Sequence, residues 1–217
     1  MADRVLLYGY RFSVYTRIVR MVLQEKGVAY DQVEIDPFSP TLPGNYAELH
    51  PFRRVPVLRH GDFTIYETGA IARYIDATFD GPCLCPTDAR SLSRMTQAIA
   101  IMDSYGYRPM VRQVFAHRVF RPRTGEPASE AEIAEGLAAA PPVLTALEVI
   151  AAEGRVLDGL QITLADCHLA PMFGYYLQAD RAALMPFPAL SQWWNRASRL
   201  ASFVGTEPGL PEPAIET

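Results

Sequence analysis

Apolar positions recur along the chain with two different spacings, and the changes of spacing mark its elements. Val5-Leu6-Leu7-Tyr8 is a short apolar run of strand length. Val14, Ile18, Val19, Val22 and Leu23 then recur every three or four residues, which predicts a helix from Val14 to Lys26 closed by Gly27. Val28 to Ile35 predicts a second strand, followed by loop signals at 36–40 and 43–45. Tyr46 to His50 predicts a short helix ended by Pro51. In Arg53-Arg54-Val55-Pro56-Val57-Leu58 a proline interrupts an apolar run. It belongs at a strand start or edge, and its Val55–Pro56 bond is a candidate cis peptide. His60-Gly61-Asp62 predicts a hairpin turn between Val57–Arg59 and Phe63–Tyr66. Glu67-Thr68-Gly69 opens a helix whose Ile71, Ala72, Ile75 and Phe79 form an apolar stripe.

The order β-α-β, loop, β-β-α over residues 1–80 predicts an α/β domain with a small mixed sheet, its first two strands parallel and its last two a hairpin. Asp80-Gly81-Pro82 to Pro86 breaks the pattern, and residues 81–86 read as a linker. Residues 87–205 read as an all-α domain. Its expected elements are a helix from Thr87 to about Phe120, a loop at Pro122–Pro127, a capping box at Ser129–Glu132 and a helix from Ala134 to Glu153 interrupted at Pro141-Pro142. A last amphipathic helix carries Trp193, Trp194, Leu200 and Phe203. Thr163 and Asp166 form a second capping box, a structural cap rather than a catalytic pair. Residues 206–217, with three prolines and no periodicity, read as an extended surface tail.

Composition narrows the class. Apolar residues make up 49% and charged residues 20% of 217 residues, enough to fill a core. A net charge of −4 gives no support for nucleic-acid binding. No apolar run by eye reaches bilayer length and no signal-peptide pattern precedes the first strand, so no membrane partner is expected. Three sparse cysteines, Cys83, Cys85 and Cys167, suit a reduced, cytoplasmic setting. The Cys83-Leu84-Cys85 spacing and the absence of a matching His/Cys pair predict no metal site. His50, His60, His117 and His168 fit no metal-binding pattern and read as surface or supporting residues.

The candidate chemistry lies where the first strand meets the first helix. Ser13 stands at a helix N-terminus, where amides lack partners and the dipole favours an anion. Its hydroxyl can cap the helix or donate to a thiolate. The Ser13 and Thr16 positions are not cysteines, which disfavours dithiol redox chemistry. Arg108, Arg112, Arg118, Arg121 and Arg123 share a stretch without acidic residues. It reads as a solvated helix face or as an attraction for an anionic co-substrate.

Ser13-Val14-Tyr15-Thr16-Arg17, Val55-Pro56, Glu67-Thr68 and Thr163-Leu164-Ala165-Asp166 together, in this order, resemble the cytosolic glutathione S-transferases, in a serine-type, bacterial-like form. The resemblance implies a thioredoxin-like N-terminal domain and a helical domain that takes the electrophile. It implies reduced glutathione as co-substrate and no metal. Ser13 would steady the glutathione thiolate, and Arg54, Val55, Pro56, Glu67 and Thr68 would hold the tripeptide. Thr68 stands where the family usually has serine, and Arg53-Arg54 where many members have Gly-Lys. Tyr8 and Tyr10 lie near the place where other classes carry a catalytic tyrosine. Tyr10, Phe12, Tyr105, Tyr107 and Phe115 are candidates for the pocket of a small hydrophobic or anionic electrophile, with core packing as the alternative for the last three. The family also implies a homodimer. Two further readings stay open: a glutathione-dependent isomerase or dehalogenase of a catabolic pathway, and a non-catalytic binding protein.

Overall fold

The computed structural model describes residues 4–213. The chain forms two compact units. Among the described residues, the first comprises 4–84 together with Gly205–Pro208, and the second comprises Cys85–Val204 and 209–213.

In the first unit β1 (Val5–Gly9), β2 (Asp31–Glu34), β3 (Val57–His60) and β4 (Phe63–Tyr66) form one sheet in the order β2-β1-β3-β4. β1 and β2 are parallel, while β3 runs antiparallel to both β1 and β4. The helices are α1 (Val14–Glu25), α2 (Tyr46–Leu49) and α3 (Thr68–Thr78). β2 starts three residues later than the sequence predicts. Gly27, at φ 64°, donates to the Gln24 carbonyl and Val28 donates to the Leu23 carbonyl, so Val28 completes the Schellman end of α1 instead of entering the sheet. One face of the sheet packs Leu7 and Leu58 with Ile18, Val22, Ile71 and Ile75 of α1 and α3 in the core. On the cluster around Ile35, Tyr46 and Val57 pack Tyr8, Val55 and Tyr66. Each fully buried aliphatic side chain contributes about 1.5–3 kcal/mol through burial.

Lys26, the one lysine of the sequence, is buried at the end of α1. Its Nζ donates to the carbonyls of Asp76 and Pro82 and lies 3.3 Å from Asp76 Oδ1. The same Oδ1 accepts the Leu84 amide at 2.9 Å, so one ion pair ties α1, α3 and the segment that leaves the unit. The tail is more than a surface extension. Thr206 is buried, and the Glu207 carboxylate meets the guanidinium of the wholly buried Arg17 at 2.5 Å. A buried cation requires such a counter-charge.

In the second unit α4 (Ala89–Ile101) is capped by Asp88, which accepts the Ser91 amide at 3.0 Å. It runs on into Met102–Phe120, wound as a π-helix, and then into α5 (Arg121–Thr124), which ends at Gly125. The helical path thus passes Pro122, where a loop is expected, and stops only at left-handed Gly125, whose amide donates to the Arg121 carbonyl. α6 (Glu130–Ala152) is also unbroken by Pro141 and Pro142. Both prolines are exposed, while Ile133, Val143, Leu144, Leu147 and Ile150 of the same helix are buried. α6 corrects the reading that nothing here is long and apolar enough to cross a bilayer. By length and composition it is, and five of its apolar side chains, Ile133, Val143, Leu144, Leu147 and Ile150, are buried in the second unit. The capping box at its start is one-sided. Ser129 Oγ accepts the Glu132 amide at 3.3 Å, but the Glu132 carboxylate accepts from Gln113 instead of reaching back.

α7 (Leu164–Ala179) is followed by α8 (Pro188–Ala197) and α9 (Ala201–Gly205). The expected single last helix is divided because the Arg199 and Leu200 amides turn to the Arg196 and Ala197 carbonyls, a tight turn that stops α8. At the start of α7 the predicted box closes. Asp166 Oδ2 accepts from the Thr163 amide at 2.8 Å and the Thr163 hydroxyl at 2.7 Å, and Thr163 Oγ1 accepts from the Ala165 amide. Trp193 adds an indole N–H to Asp166 Oδ1 at 2.8 Å, a contact the sequence does not announce.

Candidate functional site

Strand register decides which residues of the first unit share an end of the sheet. Tyr8 lies opposite Val57, and Val57 lies opposite Tyr66. The exit of β1, the entry of β3 and the exit of β4 are therefore neighbours. The residues just beyond these three points are the β1–α1 turn with Ser13, the Val55–Pro56 bond, and Glu67–Thr68. A fourth segment joins them, because Gly9 pairs with Glu34 and the Arg11 amide donates to Glu34 Oε1 at 2.8 Å.

Ser13 is the N-cap of α1, extended at φ −72° and ψ 122°. Its Oγ accepts the Thr16 amide at 3.3 Å. That bond uses an oxygen lone pair and leaves the O–H proton to offer to an anion. Capping and donation are compatible at this residue. Gly9 permits the approach of α1: a Cβ there would meet Thr16 Cγ2 at 2.3 Å.

The Val55–Pro56 bond is cis. The preceding turn is fastened by the Tyr46 hydroxyl, which donates to the Arg54 carbonyl at 2.7 Å. Burial pushes the Tyr46 pKa up to about 12, so the phenol keeps the proton it donates. The Arg54 side chain is exposed. Arg53 has φ 53° and is held in the left-handed region that favours glycine.

Glu67 is also left-handed, at φ 71°, and is exposed directly before α3. A glutamate held in this conformation costs about 1–3 kcal/mol, a cost characteristic of ligand clamps. Thr68, Gly69 and Ala70 are the first residues of α3, and their amides are among those without a partner inside the helix. An anion placed there gains from the amides and from the helix dipole.

The Ser13 N-cap, the cis Val55–Pro56 bond and the start of α3 thus lie at one end of the sheet. The family description "Glutathione S-transferase, N-terminal domain" matches residues 7–83, and "Glutathione S-transferase, C-terminal domain" matches residues 105–201. The chain belongs to the glutathione S-transferase family.

Among its relatives, glutathione S-transferase F10 of Arabidopsis thaliana is 28% identical over 202 residues, covering 91% of this chain and 93% of the relative. Glutathione S-transferase F13 of the same plant is 26% identical, covering 94% and 95%. The solved structure of glutathione S-transferase III in its apo form superposes with a TM-score of 0.83 at 27% identity, covering 98% of this chain and 100% of that one. A glutathione-bound theta-class enzyme from Xanthomonas axonopodis pv. citri, at 21% identity and TM-score 0.77 over 94% and 97%, shares the fold.

The two tyrosines near Ser13, Tyr8 and Tyr10, pack their rings within the first unit. Tyr8 packs on the Ile35–Tyr46–Val57 cluster. Tyr10 meets Phe12 edge-on at 5.5 Å and Phe38 at 6.1 Å, an aromatic group just before Ser13 in the chain. In the second unit Tyr105 is exposed and Tyr107 half-buried. Phe115 is 4% exposed and stacks flat on Tyr175 at 4.3 Å, so it serves that unit's core and leaves the electrophile candidates. Several of the second unit's arginines have protein partners. Arg108 pairs with Glu135 at 3.7 Å, Arg118 donates to the Ala179 carbonyl, and Arg121 donates to the Pro127 carbonyl. Three of the four histidines, His50, His117 and His168, are buried rather than superficial. His168 meets Asp103 at 2.8 Å, and His117 accepts the Ser129 amide, so both brace the helical unit.

Proposed function

We propose that this member of the glutathione S-transferase family binds reduced glutathione and adds its thiolate sulfur to a small electrophile, hydrophobic or anionic. The observation that carries the proposal is the meeting of the Ser13 N-cap, the cis Val55–Pro56 bond and the exposed start of α3 at one end of the sheet. A free thiol has a pKa near 8.5, so only a few per cent is thiolate at neutral pH. A hydrogen bond from the Ser13 hydroxyl and the N-terminal field of α1 both favour the anion and lower that pKa.

The other residues divide the tripeptide between them. Glu67 takes the α-ammonium, and the Thr68 and Gly69 amides take the neighbouring carboxylate. The Val55 backbone pairs with the cysteinyl part, ahead of Pro56. Arg54 takes the glycine carboxylate, for which a guanidinium offers two parallel donors. The sulfur then forms a bond to the electrophilic carbon, whose leaving group departs with the electron pair of the broken bond. Tyr10 and Phe12, close to Ser13 in the chain, are the first candidates to touch the electrophile. The working form is a cytoplasmic homodimer.

Calorimetric titration with reduced glutathione, followed by product analysis on an electrophile panel, tests this reading. Saturable binding with conjugate formation supports it. Glutathione recovered unchanged beside a transformed substrate would point to an isomerase, and binding without turnover to a carrier. No heat at millimolar ligand would overturn the proposal.

A further inference from the structure

Resting on the glutathione reading above, we propose that His50 is a positioning residue of the site. Its Nδ1 accepts the Phe52 amide and so holds the 50–54 turn that presents Arg54 and the Val55–Pro56 bond.

The turn has little to stabilise it on its own. Arg53 sits left-handed without being glycine. The bonds that fix it are Phe52 N–H to His50 Nδ1 at 3.3 Å, Arg53 N–H to the His50 carbonyl at 2.9 Å, and Tyr46 O–H to the Arg54 carbonyl at 2.7 Å. The first is an Asx-type turn with an imidazole nitrogen in place of a carboxylate oxygen. The chain forms the oxygen version at Asp36, whose Oδ1 accepts the Phe38 amide at 2.9 Å.

The ring also joins two parts of the site. It is 2% exposed and lies 4.7 Å from the ring of Tyr66, the residue before Glu67. One side chain thus braces both the turn that carries Arg54 and the junction that carries Glu67.

An amide donor at Nδ1 requires a lone pair there, which puts the ring proton on Nε2. The imidazolium has no such lone pair and cannot hold the turn. The charged groups that act on the ring are Glu67 and Arg54. Burial holds the imidazole below its ordinary pKa; Glu67 opposes this and Arg54 adds to it. The ring is therefore neutral, and able to accept, at neutral pH.

The test is a calorimetric titration of glutathione into the wild type, His50→Ala and His50→Asn at about pH 7 and about pH 5, a window in which neither the carboxyls nor the thiol of free glutathione titrates and the bound thiol's titration is common to all three proteins. The Ala variant is expected to bind about tenfold more weakly, as an amide left without its acceptor implies. The Asn variant is expected to recover most of the affinity, because its side-chain oxygen reaches the same amide. Wild-type affinity is expected to fall more steeply toward the lower pH than that of the Asn variant, which keeps only the decline due to the bound thiol. An Ala variant that binds like the wild type overturns the proposal, as does an Asn variant with the wild type's pH dependence. The second criterion stands even if the Ala variant does not fold. A wild type that binds no glutathione at either pH overturns the glutathione reading first, and this one with it.

Discussion

The Glu207 carboxylate reaches the guanidinium of Arg17, which is wholly buried in α1. The two residues are 190 positions apart in a chain of 217 (207 − 17), yet both belong to the first unit. Segment 205–208 lies along α1: a Cβ on Gly205 would touch Gln24, and Arg11 donates to the Pro208 carbonyl. Removing the carboxylate leaves a buried cation without this counter-charge. Glu207→Gln should destabilise the protein by about 1–2 kcal/mol, less than a fully buried pair because Glu207 is 37% exposed. A urea melt that shows no loss would assign the pair no role in stability.

Asp166 collects more donors than a helix cap needs. Its two oxygens accept from the Thr163 amide, the Thr163 hydroxyl and the Trp193 indole, all buried. Asp166→Ala leaves three donors unsatisfied and should cost roughly 3–5 kcal/mol, more than a cap alone. Asp166→Asn keeps one acceptor oxygen and should cost less. Chemical denaturation of both variants checks the ranking, and equal losses would contradict it.

Arg53 offers a change in the opposite direction. Its left-handed backbone costs about 1–2 kcal/mol for a residue with a Cβ, against roughly 0.5–1 kcal/mol of extra chain entropy lost by a glycine. Arg53→Gly should therefore stabilise the protein by about 0.5–1 kcal/mol. A lower melting temperature would mean that the arginine side chain contributes contacts that outweigh the backbone strain.

The strand, helix and hairpin sequence of the first unit was legible because each element keeps one periodicity between strong turn residues. What escaped depends on partners distant in sequence. Val28 has a strand former's side chain, but its amide completes the end of α1. Pro141-Pro142 breaks a helix by local rule, yet the buried face of α6 outweighs the lost hydrogen bonds. Ser13, Val55-Pro56 and Glu67-Thr68 were readable as an ordered set, and strand register then explains why they meet. His50 fits no metal-binding pattern, so the sequence alone marks it only as a surface or supporting residue. The available signal was a turn that lacks the glycine its geometry favours.

His50 also makes stability depend on pH. Its folded pKa lies below that of the unfolded chain, with burial the main cause. The unfolded chain therefore binds the proton more readily, and stability rises with pH across that window. The contribution is complete above the ordinary histidine range and is lost as pH falls through it toward the folded value. Between about pH 7.5 and pH 5, His50→Asn should flatten part of the wild type's decline in denaturant midpoint. Parallel curves for the two proteins would exclude His50 as a source of that slope.

The most direct test of the site's chemistry is the ultraviolet titration of glutathione thiolate bound to the wild type and to Ser13→Ala. The wild type should show a thiol pKa below the free value of about 8.5. Ser13→Ala should raise it, with slower turnover at neutral pH, affinity within severalfold, and about 1 kcal/mol of stability lost with the α1 cap. An unchanged thiol pKa in a folded Ser13→Ala protein would contradict the role of Ser13 and return the search to Tyr8 and Tyr10.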